Sequence, residues 1–429
     1  MQLVQKIKLI LQPAIVLFSN SAWLLSTEIT AKISRIVTIV VLAGALTPVS
    51  YGTAMLALAF HDVLRLLLRS GAGSQIIRCD GTQLTRFAKN GATIQWLICL
   101  TLALVQFSIA EIVATIYANP QLAELLKWMA LSYVFYPIVS IKVFLLQRDN
   151  RLRWFSLRNG ICIVSENLSI AIFALMGADI MAVALGKLVF SILWLALFWF
   201  APVKGFGIGF DRKTFTHLTR SSLQLFGSEF LSALRMHSDT FIAAKLMPPE
   251  IFGIYSFAKS AGIGLSQSVC NAFNGALFPY LCKLQRQGGL EKQSWLVYRI
   301  ALGVSLLFVL QALFVPIYVP IIFDSAWLVT IPTVSVLCLT AIPALIVDTH
   351  CSFQRTAGNY RAETLIRFCC LFITLLCLLV ARPTQPLDFA IVLLFSAVLW
   401  CIAVFTSATV FNKAKPFLLV LLGKKSHEY

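Results

Sequence analysis

Charged side chains recur at helical spacing in two apolar stretches near the start of the chain. In the first stretch, Glu28, Lys32 and Arg35 share one face of a predicted helix. In the second, Arg65 and Arg69 lie four residues apart and again share a face. Ammonium and guanidinium groups bind phosphate oxygens, and Arg can do so through two parallel hydrogen bonds. The spacing therefore indicates an anion site carried by a helical hairpin.

The composition places these helices in a membrane. Hydrophobic residues make up 59% of the chain and charged residues only 12%, against about 25% charged in a soluble domain. The mean hydropathy is +0.84. The 429 residues have room for about a dozen spans of roughly 20 residues each. We therefore expect an all-α polytopic membrane protein, and we attribute the net charge of +17 to its cytoplasmic loops rather than to nucleic-acid binding.

Apolar runs bounded by Pro, Gly and charged residues predict twelve transmembrane helices. They lie near residues 20–46, 51–75, 90–117, 125–147, 154–176, 180–202, 221–246, 251–281, 300–322, 327–353, 364–381 and 389–412. When the first span starts in the cytoplasm, 22 Lys and Arg residues fall on the cytoplasmic side and only Arg382 falls on the other. This bias predicts a multi-pass protein with both termini in the cytoplasm.

The chain divides into two halves that resemble each other. The sequence PVSYG at 48–52 recurs as PEIFG at 249–253, and the QR-containing stretch at 147–151 recurs at 354–361. An offset of about 200 residues between such landmarks is typical of a two-lobed transporter built from a repeat. The predicted parts are an N-terminal six-helix lobe (1–203), a cytoplasmic connection (204–220), a C-terminal six-helix lobe (221–413) and a cytoplasmic tail (414–429).

Twelve basic and seven acidic residues fall inside the predicted spans. Because a charge at the bilayer centre costs about 3 kcal/mol, most of them should face an internal cavity with a cationic surplus. The residues that we expect to bind an anion through its phosphate oxygens are Lys32, Arg35, Arg65, Arg69 and Lys259. A second set could couple an ion or pair structurally: Glu28, Glu166, Arg235, Asp239 and Asp348. Lys187 lies near a span end, from which its side chain could instead reach the lipid headgroups.

Motifs for catalysis are absent from the sequence. Gly186 and Lys187 lack the glycine spacing of a phosphate-binding loop, and His350 next to Cys351 provides no metal ligand set. No Ser/His/Asp or paired-carboxylate arrangement lies in a loop. We therefore expect no enzyme activity, no cofactor and no metal.

The stretch DTFIAAKLMPPEIFGIYSFA at 239–258 resembles the seventh-to-eighth span signature of polysaccharide-transport O-antigen flippases, which belong to the multidrug/oligosaccharidyl-lipid/polysaccharide exporter superfamily. FPYL at 278–281, LQ at 284–285 and the PxxYG motif at 48–52 are similar to further patterns of that family. The chain departs from it at 43–47, AGALT, where relatives often carry an Arg before the first-hairpin Gly-Pro. The resemblance implies twelve helices in two six-helix lobes, a cationic central cavity and undecaprenyl-pyrophosphate-linked sugars as substrate.

The expected function is therefore an alternating-access flippase of the bacterial inner membrane for lipid-linked oligosaccharide units of O-antigen or exopolysaccharide. Its expected partners are the undecaprenyl-pyrophosphate-linked glycan, the bilayer, a polysaccharide polymerase and a chain-length regulator. One alternative is a cation-coupled drug or metabolite antiporter of the same superfamily, against which the surplus of bases argues. Another is a membrane polysaccharide polymerase or glycosyltransferase, against which the short outside loops argue.

Overall fold

The computed structural model describes residues 27, 30–69, 72–79, 81–149, 151–286, 290–357 and 359–421. All regular secondary structure in these ranges is helical, which confirms the all-α prediction. In chain order the helices are α1 (residues 30–45), α2 (Pro48–Arg69), α3 (Gly73–Arg78), α4 (Leu84–Ile116), α5 (Pro120–Ala130), α6 (Ser132–Arg148), α7 (Leu152–Leu175), α8 (Met181–Trp199), α9 (Arg212–Leu246), α10 (Pro249–Arg286), α11 (Leu290–Ile322), a 3-10 turn (Ser325–Thr330), α12 (Ile331–Thr356), α13 (Tyr360–Ala381) and α14 (Pro386–Leu421).

Each of the twelve predicted spans contains helix in the described part of the chain. The fourth span is divided into α5 and α6 at Leu131, and the tenth consists of the 3-10 turn followed by α12. Within the described ranges, eight helical segments, which include α4, α7, α8, α11 and α13, are long and apolar enough to cross a membrane. The helices α2, α9 and α10 are not among these eight, and they carry several of the charges that we place inside the spans.

The repeated landmarks occupy the same places in the helix order. Pro48 begins α2 and Pro249 begins α10, each at a first-turn position where the missing N–H of proline costs no helical hydrogen bond. The Thr47 hydroxyl accepts a hydrogen bond from the Ser50 backbone N–H at 3.2 Å and so caps α2. A proline also lies inside both α6 and α12, at Pro137 and Pro343.

The helices form two compact units, Met1–Lys245 and Leu246–Tyr429. The predicted lobe boundaries at 203 and 221 stay a prediction. In the first unit, α1 packs on α7 through Asn167, whose side-chain amide donates to the Ser34 hydroxyl at 2.8 Å. The Thr38 hydroxyl returns a hydrogen bond to the Asn167 carbonyl, also at 2.8 Å. These paired contacts hold two apolar helices together through polar groups that lipid could not satisfy.

The connection before α9 is bound to the first two turns of α4. The Arg86 guanidinium lies 2.6 Å from Asp211 Oδ2, and the Asp211 backbone N–H donates to Asn90 Oδ1 at 2.7 Å. Asp211 also caps α9, because its carboxylate accepts the Thr214 backbone N–H at 2.9 Å. The hydrogen bonds from Thr214, and then from Arg86, lower the pKa of the Asp211 carboxyl. We call this arrangement, at 209–214, the α9 anchor.

In the second unit, α12 packs against α10, α11 and α14 and forms the centre of the bundle. The ring of Phe257 lies 4.3 Å from that of Trp327, and Tyr255 lies 4.9 Å from Phe389. All four side chains are almost fully buried. Aromatic contacts of this kind join α10 to the 3-10 turn and to α14.

Close approach of α7 and α8 depends on Gly186. A Cβ at this position would lie 2.2 Å from Ile170 Cγ1 and 3.2 Å from the Glu166 carbonyl oxygen.

We therefore expect Gly186→Ala to lower the free energy of unfolding by roughly 1–3 kcal/mol. The matched control is Gly303→Ala in α11, where a Cβ would meet nothing within 4 Å and should stabilise the helix by up to about 1 kcal/mol. Thermal unfolding in detergent measures both, and equal losses would contradict the packing argument.

Candidate functional site

Three helices of the first unit bring four charged side chains together. Asp62 and Arg65 come from α2, Glu166 from α7 and Lys187 from α8, and we call them the α2–α7–α8 cluster. Lys187 Nζ lies 2.8 Å from Glu166 Oε1 and 3.6 Å from Asp62 Oδ1. Lys187 is only 6% exposed. Its ammonium therefore does not reach outward to headgroups, and that interpretation of the sequence is wrong because two carboxylates hold it inside.

Gly186 explains how Lys187 reaches its partner. Since residue 186 has no side chain, α8 can approach the α7 backbone at Glu166, and the next residue, Lys187, then faces the Glu166 carboxylate. A buried ion pair of this kind needs good geometry to offset the loss of hydration.

Arg65 is the member of the cluster with the fewest direct partners. Its guanidinium carbon lies 4.8 Å from the centre of the Phe190 ring and 5.8 Å from that of Tyr136. Glu166 and Asp62 are among the nearby charges, but within the described ranges no hydrogen bond or ion pair to Arg65 is formed. Stacking on aromatic faces holds the side chain while leaving its N–H donors available.

A layer of uncharged polar groups lies next to the cluster. His61, the neighbour of Asp62 in sequence, lies with Nδ1 3.2 Å from Gln106 Oε1 and 3.3 Å from the Tyr133 hydroxyl. Tyr133 donates to Gln106 Oε1 at 3.0 Å. Two buried polar atoms have no partner among the described residues, namely His61 Nε2 and the Tyr136 hydroxyl. Such groups are expensive to bury without a hydrogen bond and indicate a place for a polar ligand.

The formal charge of the α2–α7–α8 cluster is zero, since two acids accompany two bases. The sequence led us to expect a cationic surplus around Arg65. The structure instead shows a local balance, because Asp62 and Glu166 come from two different helices and converge on the same lysine.

The other residues predicted to bind pyrophosphate belong to α1, α2 and α10. On α1, Arg35 is exposed and Lys32 is half-buried. Lys259 is half-buried on α10, in the second unit. Arg69 ends α2, but its side chain is outside what the structure describes, and Glu28 lies outside the described residues altogether.

The remaining predicted residues in the described ranges lie on α9 and α12. Asp348 Oδ1 lies 3.6 Å from Arg367, so this acid contacts a base as Glu166 does. Arg235 is half-buried and Asp239 is buried, four residues apart on α9. The structural role and the ion-coupling role of these residues both stay predictions.

The second unit has its own balanced group, which we call the α12–α13 cluster: Asp348, Arg355, Glu363 and Arg367. Glu363 is 2% exposed and accepts from Arg355 at 2.5 and 3.0 Å and from Arg367 at 3.1 Å. Glu363 lies one residue before the predicted span at 364–381 and was therefore not among the candidate residues. The spacing of four residues between Glu363 and Arg367 could have predicted their ion pair from the sequence.

Residues 41–332 match the family model described as polysaccharide biosynthesis protein. The chain belongs to this polysaccharide biosynthesis family. No curated protein sequence matches the chain significantly.

The fold of this family member is similar to those of several solved transporters. It is similar to the lipid II flippase MurJ in an inward closed conformation, with a TM-score of 0.74 at 13% identity over 96% of this chain and 94% of that one. It is also similar to an inward-facing multidrug transporter of the MATE family, with a TM-score of 0.69 at 12% identity over 91% and 99% of the two chains. A third similar structure is a MOP superfamily transporter from Pyrococcus furiosus, with a TM-score of 0.64 at 13% identity over 92% and 96%. Its binding pocket is described as having reverse polarity that suggests a different function.

The contributions of Lys187 and Glu166 to the free energy of unfolding should depend on each other. Lys187→Met leaves a buried carboxylate without its closest partner, and we expect a loss of about 3–5 kcal/mol in the free energy of unfolding. The double variant Lys187→Met/Glu166→Gln should lose less than the sum of the two single variants. Thermal unfolding of the four proteins in detergent gives the coupling, and simple additivity would show that the pair is not a unit.

Glu363 should stabilise the second unit. Because it receives two arginines in a buried position, Glu363→Gln should lower the free energy of unfolding by about 3–5 kcal/mol. The same chemical change at the exposed Glu124 of α5 is the control and should have little effect. Denaturation in detergent followed by circular dichroism measures both variants. Similar midpoints for the two would mean that the α12–α13 cluster contributes no stability.

Proposed function

We propose that this protein is a flippase that moves undecaprenyl-pyrophosphate-linked oligosaccharide, an O-antigen or exopolysaccharide repeat unit, from the cytoplasmic to the periplasmic leaflet by alternating access. The observation that carries the proposal is Arg65. A half-buried guanidinium, stacked on Phe190 and Tyr136 and with its donors unused among the described residues, is suited to receive phosphate oxygens. Membership of a polysaccharide biosynthesis family makes a glycan-bearing phosphate the natural anion.

In this proposal Arg65 is the main pyrophosphate contact, and Lys32, Arg35, Arg69 and Lys259 contribute further positive charge. The polyprenyl tail stays in lipid while the head group crosses. With a negative cytosol, outward movement of an anion is favourable by about 2.3 kcal/mol per charge per 100 mV. The membrane potential therefore favours export without a built-in ATPase.

The similarity to MurJ supports the fold that this transport needs. MurJ is a flippase for lipid II, and at 13% identity the likeness concerns the fold alone. We propose the same class of cargo for this chain, a lipid-linked saccharide, on the basis of the family and of Arg65. Location in the bacterial inner membrane, cytoplasmic termini, and cooperation with a polymerase and a chain-length regulator belong to the same proposal.

A cation-coupled antiporter is the second candidate, and one observation favours it. The carboxylates of Asp62 and Glu166 lie in the same cluster as Arg65, so the site can offer acids as well as bases. An antiporter would bind its cation through these carboxylates. The two functions differ in the cargo that depends on Arg65.

We expect Arg65→Ala to reduce flipping of a fluorescent undecaprenyl-pyrophosphate saccharide in proteoliposomes roughly tenfold or more, since a charge-assisted contact to phosphate is lost. Arg65→Lys keeps the charge but loses the bidentate geometry, and it should retain partial activity. The control is Lys127→Ala, which removes a cation paired with Glu111 on an exposed part of the first unit. Lys127→Ala should flip at the wild-type rate.

Cells that lack the protein provide the complementary measurement. Lipid-linked repeat units that accumulate on the inner leaflet support the flippase. Accumulation on the outer leaflet would favour a polymerase, and no accumulation, together with extrusion of a cationic dye by wild-type proteoliposomes, would favour the antiporter. Wild-type flipping by Arg65→Ala would remove this residue from the site.

A further inference from the structure

We propose that Asp62 is a built-in counter-ion of the α2–α7–α8 cluster that a phosphate group of the cargo displaces, so that Lys187 becomes a second phosphate ligand beside Arg65. This inference rests on the proposed function, which it deepens by naming the resting occupant of the phosphate site. Its basis is an asymmetry between the two carboxylates that contact Lys187.

Glu166 is the fixed partner. Its Oε1 lies 2.8 Å from Lys187 Nζ, within hydrogen-bond distance, and its side chain is 11% exposed. Asp62 is the loose partner, since its Oδ1 lies 3.6 Å from the same nitrogen and its side chain is 40% exposed. The carboxylate that is farther from Lys187 and more accessible is the one that an incoming anion can replace.

Two donor groups interact electrostatically with Asp62. Among the described residues, the Arg65 guanidinium makes no hydrogen bond and the buried Tyr136 hydroxyl has no partner. Both groups lie together, with Arg65 above the Tyr136 ring. An ammonium, a guanidinium and a hydroxyl donor match the several oxygens of a phosphate, whereas one aspartate side chain cannot reach all of them.

The exchange also resolves a problem of charge. Without Asp62, the remaining Lys187, Arg65 and Glu166 would leave one uncompensated positive charge inside a membrane protein between transport cycles. With Asp62 in place the cluster is neutral. When the phosphate arrives, Asp62 turns toward its exposed side, where it is hydrated, and the phosphate takes over the neutralisation of Lys187 and Arg65.

The test measures anion affinity in the full-length protein in phosphatidylcholine nanodiscs, with inorganic pyrophosphate and undecaprenyl pyrophosphate as probes in isothermal titration calorimetry. Asp62→Asn removes the competing charge, so both probes should bind about tenfold tighter if Asp62 occupies the site nine-tenths of the time. Asp62→Ser, which is smaller and also neutral, should show the same gain and serves as a second variant. Asp62→Glu keeps the charge and should show none.

Two controls separate the exchange from general electrostatics. Glu111→Gln makes the same change of net charge at the exposed Lys127–Glu111 pair and should not tighten binding. Asp62→Asn/Lys187→Met should lose the gain, because Lys187 is the ligand that Asp62 releases.

The proposal is overturned if neither neutral variant of Asp62 tightens binding, or if Glu111→Gln tightens it equally. It is also overturned if phosphatidylglycerol in the nanodiscs competes as strongly as pyrophosphate, since the site would then take membrane headgroups. Flipping by the wild-type protein is measured separately in proteoliposomes. If the wild-type protein flips the lipid but the neutral Asp62 variants do not bind the probes more tightly, only this inference is overturned. If those variants bind more tightly but the wild-type protein does not flip the lipid, only the proposed function is overturned.

Discussion

The first unit depends on the compensation of charges inside the membrane, and the ion pair between Lys187 and Glu166 provides it. A charge inside hydrocarbon must find an opposite charge or water, and here a lysine on α8 finds a carboxylate on α7 at 2.8 Å. The pair requires close helices, and Gly186 permits that approach. Helix packing, charge compensation and the candidate site therefore depend on the same two adjacent residues of α8, Gly186 and Lys187.

The two units solve this problem in different ways. The α2–α7–α8 cluster draws its charges from three helices and leaves Arg65 stacked on two aromatic rings, with no hydrogen bond from its N–H donors to the part of the chain that the structure describes. The α12–α13 cluster is closed, because the Glu363 carboxylate takes both of its neighbouring arginines at hydrogen-bond distance. An open cluster suits binding, and a closed one suits stability. The repeated sequence motifs thus mark helices that start alike, without requiring that the polar interiors of the units match.

The sequence predicted most of the fold because apolar length and charge are local properties. Each predicted span contains helix, and the motifs at 48–52 and 249–253 begin α2 and α10 as their prolines require. The site was harder. Arg65 could be selected from its position, but Asp62 converges with Glu166 and Lys187, which both lie more than 100 positions further along the chain. Periodicity along one helix carries no information about which distant helix lies beside it, so the local charge balance became visible only in three dimensions.

The connection before α9 is held by further hydrogen bonds besides those of the α9 anchor. Lys142 donates to the Trp199 carbonyl at 2.5 Å, Arg151 to the Pro202 carbonyl at 2.8 Å, and Thr93 to the Gly209 carbonyl at 2.7 Å. The segment is therefore hydrogen-bonded to neighbouring helices near both of its ends. If the backbone were cut within this segment, each new end would keep its hydrogen bonds to the neighbouring helices. Two fragments divided at this point would therefore be able to associate through the same contacts.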